Sequence, residues 1–414
     1  MIEIKEEITT AEEIIVALKD AVELEMSLML QYLYAAYSIP NLVSGQEYVK
    51  RGIWKPEHLK FMCGDGEERM NQGIRGVILR IAREEMIHFL MANNLLMAVG
   101  GSFHTCTPDF SKLSKFYPLG VEMALEPFSE NCVKRFIYFE WPSYYQDRTV
   151  PGHSNNGKTT YSSVSQLYQK IRIALVNNPE LILVEKNKTG GEHHLFLNKK
   201  TNTHHPNYQC QVDDLDSALF TIDLITEQGE GANAQVEVFE DSHFHKFQKI
   251  HHYLQEFNLQ GDWFHAYPTL RNPSIARRPG TNQVLNEETA EVMQIFNGCF
   301  EISMQMMVQH FGKRPTESLR MSRLMNTSLE IMAVLLRPLA ILLMTLESGI
   351  PGRTAGPSFE LSQPIQYIPY DKTAQKLLVY KFEKLYAKAQ KLKVVPDTIQ
   401  ELLQFFIGFT QNID

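Results

Sequence analysis

Glu85 and His88 stand three residues apart in the middle of an apolar helical stripe, and Glu240 and His243 repeat that spacing far downstream. Residues three apart share one face of a helix, so each pair can aim a carboxylate oxygen and an imidazole nitrogen at a single point. A buried carboxylate without a partner costs several kcal/mol even after relaxation. A chain that puts such pairs on core-facing stripes must therefore bring them to one another or to a cation. Two pairs of this kind, joined by one Glu from each of two further helices, form the ligand set of a dinuclear carboxylate bundle.

The faces carry the argument. Leu18, Ala21, Glu25, Leu28, Tyr32 and Ala35 form one stripe, apolar except at Glu25 and the tyrosine hydroxyl. Ile78, Ile81, Glu85, His88, Ala92, Leu95 and Val99 form a second. Val236, Glu240, His243, Phe247, Ile250 and Leu254 form a third. A fourth, Leu215, Leu219, Ile222 and Thr226, projects towards a helix end where Glu230 is best placed to complete the set, with Glu227 the other choice. The competing reading makes Glu25, Glu85 and Glu240 paired core carboxylates or residues of solvent-facing seams. By count alone, roughly one Glu-x-x-His is expected by chance in a chain of this size, so the stripes rather than the motif favour metal.

The helices follow from caps and breakers. Thr10 caps a first helix that Pro40 stops. The segment from there to about Gly66 reads as a long connection. A second helix, from about Glu67 to Val99, ends at Gly100-Gly101. A short helix is expected near Asn131–Glu140, another from Ser162 or Ser163 to Asn177, and another from Asp213 or Asp214 to Gly229. One more starts near Val236 and passes His252. Residues 184–211 are polar and alternating around Gly190-Gly191, as in a hairpin or surface excursion. The prolines and arginines between Tyr267 and Thr281 mark a boundary. Beyond it lie two long apolar helices, about Asn286–Phe311 and Glu317–Ser348, and two amphipathic ones, about Asp371–Leu392 and Thr398–Asn412. The expected fold is all-α, a bundle over residues 1–265 with long loop insertions and a C-terminal helical extension over 266–414.

Hydrophobic residues make up 44% of the 414, enough for a sizeable core. The net charge of -8, without a basic run, argues against a nucleic-acid partner. Five scattered cysteines without a Cys-x-x-Cys pair, and an acidic start with no apolar leader, point to a reducing, cytoplasmic compartment. Arg337 and Pro338 interrupt the most apolar stretch, Leu329–Leu346, so it reads as a buried helix rather than a membrane span. His193-His194 and His204-His205 read as solvated loop histidines, and His251 as a surface residue. Met304, Met306, Met307, Met321, Met325 and Met332 suit either an adaptable pocket or ordinary core.

Oxygen and nitrogen donors favour two iron ions, with manganese the other choice. Tyr32, one turn beyond Leu28, is the candidate catalytic side chain, to gate access or donate an electron. Aromatic residues at this spacing are more often plain core.

Several runs resemble a known family. Ala21-Val-Glu-Leu-Glu25 through Gln31-Tyr-Leu-Tyr34, and Arg83-Glu-Glu-Met-Ile-His88, look like the first two helices of ferritin-like domains. There the ligand Glu precedes a Gln-Tyr pair by six residues, which selects Glu25 over Glu23. Phe139-Glu-Trp-Pro142, Gln228-Gly-Glu-Gly231, Ser242-His-Phe-His-Lys-Phe247 and Thr354-Ala-Gly-Pro-Ser-Phe-Glu360 extend the likeness. It is closest to the ferritin-like domain of the iminophenyl-pyruvate dimer synthase family, the enzymes of violacein and rebeccamycin-type bisindole assembly. One departure is Gln166, at a position where related chains tend to be acidic.

The resemblance implies a ferritin-like four-helix bundle with additional C-terminal helices. It also implies an oxidoreductase acting on an amino-acid-derived small molecule. Residues and resemblance together point to a non-haem di-iron enzyme that uses dioxygen, with Glu25, Glu85, His88, Glu230, Glu240 and His243 as ligands. Its partners would be a small-molecule substrate, dioxygen and an electron donor, with a homodimer allowed and neither nucleic acid nor membrane. One alternative is haem-associated oxidative coupling of amino-acid-derived imines. Another is a non-catalytic metal-storage or scaffold protein.

Overall fold

The computed structural model describes residues 8–64, 73–106, 110, 122–142, 164–184, 212–230, 241–258, 264–313 and 322–413. The described residues form two compact units. One holds residues 8–102 and the described residues from 110 to 266, and the other holds 103–106 and 267–413.

The first unit is built on α1 (Ala11–Ser38). Thr10 accepts the backbone N–H of Glu13, and the Glu13 carboxylate accepts that of Thr10, so two otherwise orphaned donors are satisfied reciprocally. The connection expected after Pro40 instead contains two short helices, α2 (Leu42–Lys50) and α3 (Pro56–Cys63). Asn41 caps the first, and Pro56 opens the second at a position whose N–H would be unbonded anyway. α4 (Gly73–Ala98) runs beside α1 and makes the most extensive helix pairing of the unit. It ends at Gly100, whose φ of 87° lies in the left-handed region.

α5 (Glu130–Phe139), α6 (Val164–Asn177), α7 (Leu215–Glu230) and α8 (His243–Asn258) complete the unit. α6 packs on α1 and α7, α7 on α4 and α8, and α8 on α5 and α4. The helix expected from Val236 differs. Asp241 and Ser242 form a turn, and α8 starts at His243. The Ser242 hydroxyl accepts the backbone N–H of His245, so the chain enters the helix at a cap rather than in mid-run. Val236 and Glu240, and the excursion with His193, His194, His204 and His205, lie outside the described residues.

In the second unit, α9 (Glu287–Lys313) packs on α10 (Arg323–Glu330), α11 (Arg337–Thr345) and α12 (Asp371–Ala389), and α12 packs on α13 (Asp397–Thr410). A π-helical turn, Ile331–Leu336, joins α10 to α11. Pro338 explains it: proline lacks the N–H of a regular helix and its ring collides with the carbonyl four residues back, and the wider turn avoids both problems. Arg323–Thr345 is long and apolar enough to cross a membrane, and half of its most apolar window is buried inside the protein. Met304, Met306, Met307 and Met325 are core residues here.

Candidate metal centre

The stripes of α1 and α4 are buried along their full lengths, Glu25, Glu85 and His88 included, each about 1% exposed. Two groups of donors converge there. Glu25, Glu85 and His88 form one, and Glu85, Glu140 and His243 form the other, with the ligand atoms of each group lying within 4.8 Å of one another. Glu85 belongs to both. Its Oε2 lies 3.4 Å from Nδ1 of His88, and its Oε1 lies 2.7 Å from Nδ1 of His243. The two imidazole rings are 5.6 Å apart, tilted by 32°.

Around these donors, each imidazole is fixed through its far nitrogen. Nε2 of His88 donates to Oε1 of Gln228 at 2.9 Å, and Nε2 of His243 donates to Oε2 of Glu84 at 3.0 Å. In both rings this leaves the Nδ1 lone pair turned to the centre, the arrangement by which metal-binding histidines are oriented and made more basic. Two carboxylates are held by tyrosines. Tyr168 donates to Oε1 of Glu25 at 2.6 Å, and Tyr32 donates to Oε1 of Glu140 at 2.5 Å. The Tyr32 ring lies against Phe136 and Phe247, which keep water from that side.

Both oxygens of Glu85 and Nδ1 of His243 are buried and have no partner outside the centre, the nearest being one another, Oε1 and Nδ1 at 2.7 Å. A proton on Nδ1 would satisfy that one pair, but with the ring neutral three lone-pair donors aim at the same space, and buried polar atoms are almost always bonded, so they need a partner of another kind. Cations meet that need. Three carboxylates and two neutral imidazoles would set three negative charges against the four positive charges of two divalent ions. The donor set, oxygen-rich with one nitrogen in each group, suits iron or manganese.

Without metal the electrostatics are strained. Burial, then the charge of Glu85, pushes the Glu25 carboxyl well above the usual carboxylate range. Burial lowers the His243 pKa, but the Glu85 charge and contacts with Glu140 and Glu84 outweigh it and raise the group well above its ordinary value. Glu85 and Glu84 go the other way. Burial opposes ionisation in both, but at Glu85 the imidazoles of His88 and His243 prevail, and at Glu84 the hydrogen bond from His243 and the charge of Lys246 do.

Among the residues singled out from sequence, Glu25, Glu85, His88 and His243 come together. Glu230 is buried, but it stands in neither donor group, and its carboxylate accepts the backbone N–H and hydroxyl of Ser165. Glu227 is half-buried. The buried face of α7 runs through Ala218, Ile222, Ile225 and Gly229, rotated by about one residue from the expected stripe. From this helix end, Gln228 reaches His88, and Gly229 leaves room for Glu140; a Cβ there would come within 3.1 Å of its Oε2. Glu240 lies outside the described residues. Tyr32 touches the centre through Glu140 rather than standing apart as core. Gln166 is exposed, and Tyr168 is the residue of α6 that reaches a ligand. Glu140 itself was missed. It follows α5 at the helix C-cap, where no periodicity marks it, and its one signal is an acid set between Phe139 and Trp141. His251 binds Glu130 at 3.2 Å.

Buried carboxylates and imidazoles gathered between the long helices form a candidate metal centre in a helical bundle of the ferritin type. The chain belongs to the Ferritin-like family, whose model matches residues 18–252. It is 42% identical, over 96% of its length, to dichlorochromopyrrolate synthase of Lentzea aerocolonigenes. It is 43% identical, over 94% of its length, to 2-imino-3-(indol-3-yl)propanoate dimerase of Chromobacterium violaceum. These two relatives bear out the resemblance read from the sequence. The chain spans 41% and 38% of their lengths. A solved ferritin-like protein from Caulobacter vibrioides, 14% identical, matches with a TM-score of 0.51 over 85% of this chain and all of that one, in line with the fold.

Proposed function

We propose that this chain is an oxidative enzyme of specialised metabolism that holds two iron ions and uses dioxygen to oxidise a small amino-acid-derived molecule. The observation that carries the proposal is the division of Glu85, one oxygen facing His88 and the other His243, with neither bonded outside the centre. Glu25 and His88 would hold one ion, Glu140 and His243 the other, and Glu85 both. Bound iron supplies the electron transfer to dioxygen that these side chains cannot perform alone.

The protein's own part is positioning. Gln228 and Glu84 lock the two rings, Tyr168 and Tyr32 fix the two terminal carboxylates, and the apolar stripes exclude water. The C. violaceum relative is named for an indole-bearing imino acid and its dimerisation. By that likeness the substrate class is an amino-acid-derived imine, and oxidative coupling leads the reactions to be tried, with an electron donor as the further partner.

Metal analysis with an optical spectrum tests the reading. The wild type should carry about two irons per chain, and Glu85→Ala close to none. Glu25→Ala and Glu140→Ala should each keep about one. Wild-type iron no higher than that of Glu85→Ala would overturn the proposal. A Soret band retained in Glu85→Ala would replace it with haem chemistry.

A further inference from the structure

Three helices of the first unit turn one stripe each towards a common cavity of about 670 Å³, a size that suits a metabolite-sized ligand. α3 contributes Glu57, Lys60 and Phe61, α4 contributes Ile74, Val77 and Arg80, and α8 contributes Lys246, Lys249, Ile250 and Tyr253. These spacings of three and four are single helical faces. Phe61 and Tyr253 meet edge to face at 5.9 Å, and with Ile74 and Ile250 they make an aromatic and aliphatic wall.

The charged residues of the wall are unequally engaged. Four cationic side chains face two carboxylates, Glu57 and Asp241. Arg80 binds Glu84 and Asp241, each at 2.9 Å. Lys246 reaches Glu84 at 3.3 Å and Asp241 at 3.7 Å. Lys249 is exposed on the same face of α8 and makes no ion pair with any described residue. An ammonium with no ion partner among the described residues, set beside an aromatic wall, can recognise an organic anion with a planar apolar body.

We propose that this cavity binds an aromatic monocarboxylate, with its ring against Phe61 and Tyr253 and its carboxylate at Lys249. Arg80 and Lys246 link the wall to the metal centre. Both hold Glu84, and Glu84 holds His243, so two residues of the cavity wall are joined to a candidate metal ligand through one carboxylate. None of the cavity-lining side chains belongs to the two donor groups. The site therefore exists whether or not the centre is loaded, and its test does not depend on iron.

The experiment is isothermal titration of the metal-free full chain with 3-phenylpropionate, 3-phenylpropanamide and propionate. The acid should bind about three- to tenfold more tightly than the amide, the range for a single charge contact near solvent. Propionate, lacking the ring, should show no measurable binding. Lys249→Met should remove the acid's advantage and leave the amide unchanged. That side chain is exposed, so the variant keeps the fold. Phe61→Ala should weaken acid and amide alike. Equal binding of acid and amide, an unchanged acid affinity in Lys249→Met, or no binding of 3-phenylpropionate would each overturn the proposal. If the chain carried no iron and still passed this test, only the reading of the metal centre would fall.

Discussion

Tyr168 and Tyr32 are buried phenols, and each spends its hydroxyl on one terminal carboxylate of the centre. Partners that orient metal ligands typically contribute about 10- to 100-fold in metal affinity. Tyr168→Phe should therefore weaken metal retention by about that factor while leaving the helices intact, read by competition with a chelator. An unchanged affinity would mean that packing alone holds Glu25. The titration of the same residues gives a second prediction. Glu25 and His243 both have raised pKa values in the metal-free chain, so both bind protons more tightly folded than unfolded. Their contribution to metal-free stability is present below the unfolded values and is lost as pH rises through the raised ones. Metal must displace those protons, so metal affinity should fall with falling pH, and loading at neutral pH should release on the order of one to two protons per chain. Titrations in buffers of different ionisation enthalpy would count them, and Glu25→Gln should release fewer.

At the scale of elements, the reciprocal cap at Thr10 fixes the start of the helix that carries Glu25 and Tyr32. Thr10→Ala should cost about 1 kcal/mol in chemical denaturation, the usual loss for an N-cap hydroxyl. That cap, the stripes of α1 and α4, and the glycine stop at Gly100 were legible because each is a local pattern with one physical outcome. Glu25, Glu85 and His88 were legible for the same reason: a polar residue on an otherwise apolar helical face has few places to go. Glu140 was not, because it sits just past a short helix, and what brings it to His243 is the packing of α5 on α8. The start of α8 was misplaced because the stripe drawn through Val236 and Glu240 treated Asp241 and Ser242 as helical, although Ser242 is a cap. The rotation of α7 had a similar cause. Its stripe was drawn through Leu215 and Leu219, which are half-buried, whereas small Ala218 and Gly229 face inward.

Across the whole molecule, every described candidate ligand belongs to the first unit, and the second is stabilised by contacts of its own. A ligand that binds only the folded state stabilises by mass action, by about 2.7 kcal/mol at a hundredfold excess over Kd. Hydrogen exchange should therefore slow on metal loading in α1, α4 and the start of α8, with α9 and α12 unchanged. The second unit has a different lever. Glu301 on α9 is buried, receives Lys381 of α12 at 2.7 Å, and accepts the backbone N–H and hydroxyl of Ser362. Burial raises its pKa, but these partners prevail and hold it below the usual carboxylate value. A depressed pKa gives stability that is present above the unfolded value and lost as pH falls through the folded one. On acidification below about pH 4.5, protection in α9 and α12 should decline in the wild type. In Glu301→Gln it should start lower at neutral pH and change less with acid, because the titrating group is gone. Metal should leave that acid response unaltered, and a metal-dependent shift in it would show that Glu301 does not act through the local contacts described here.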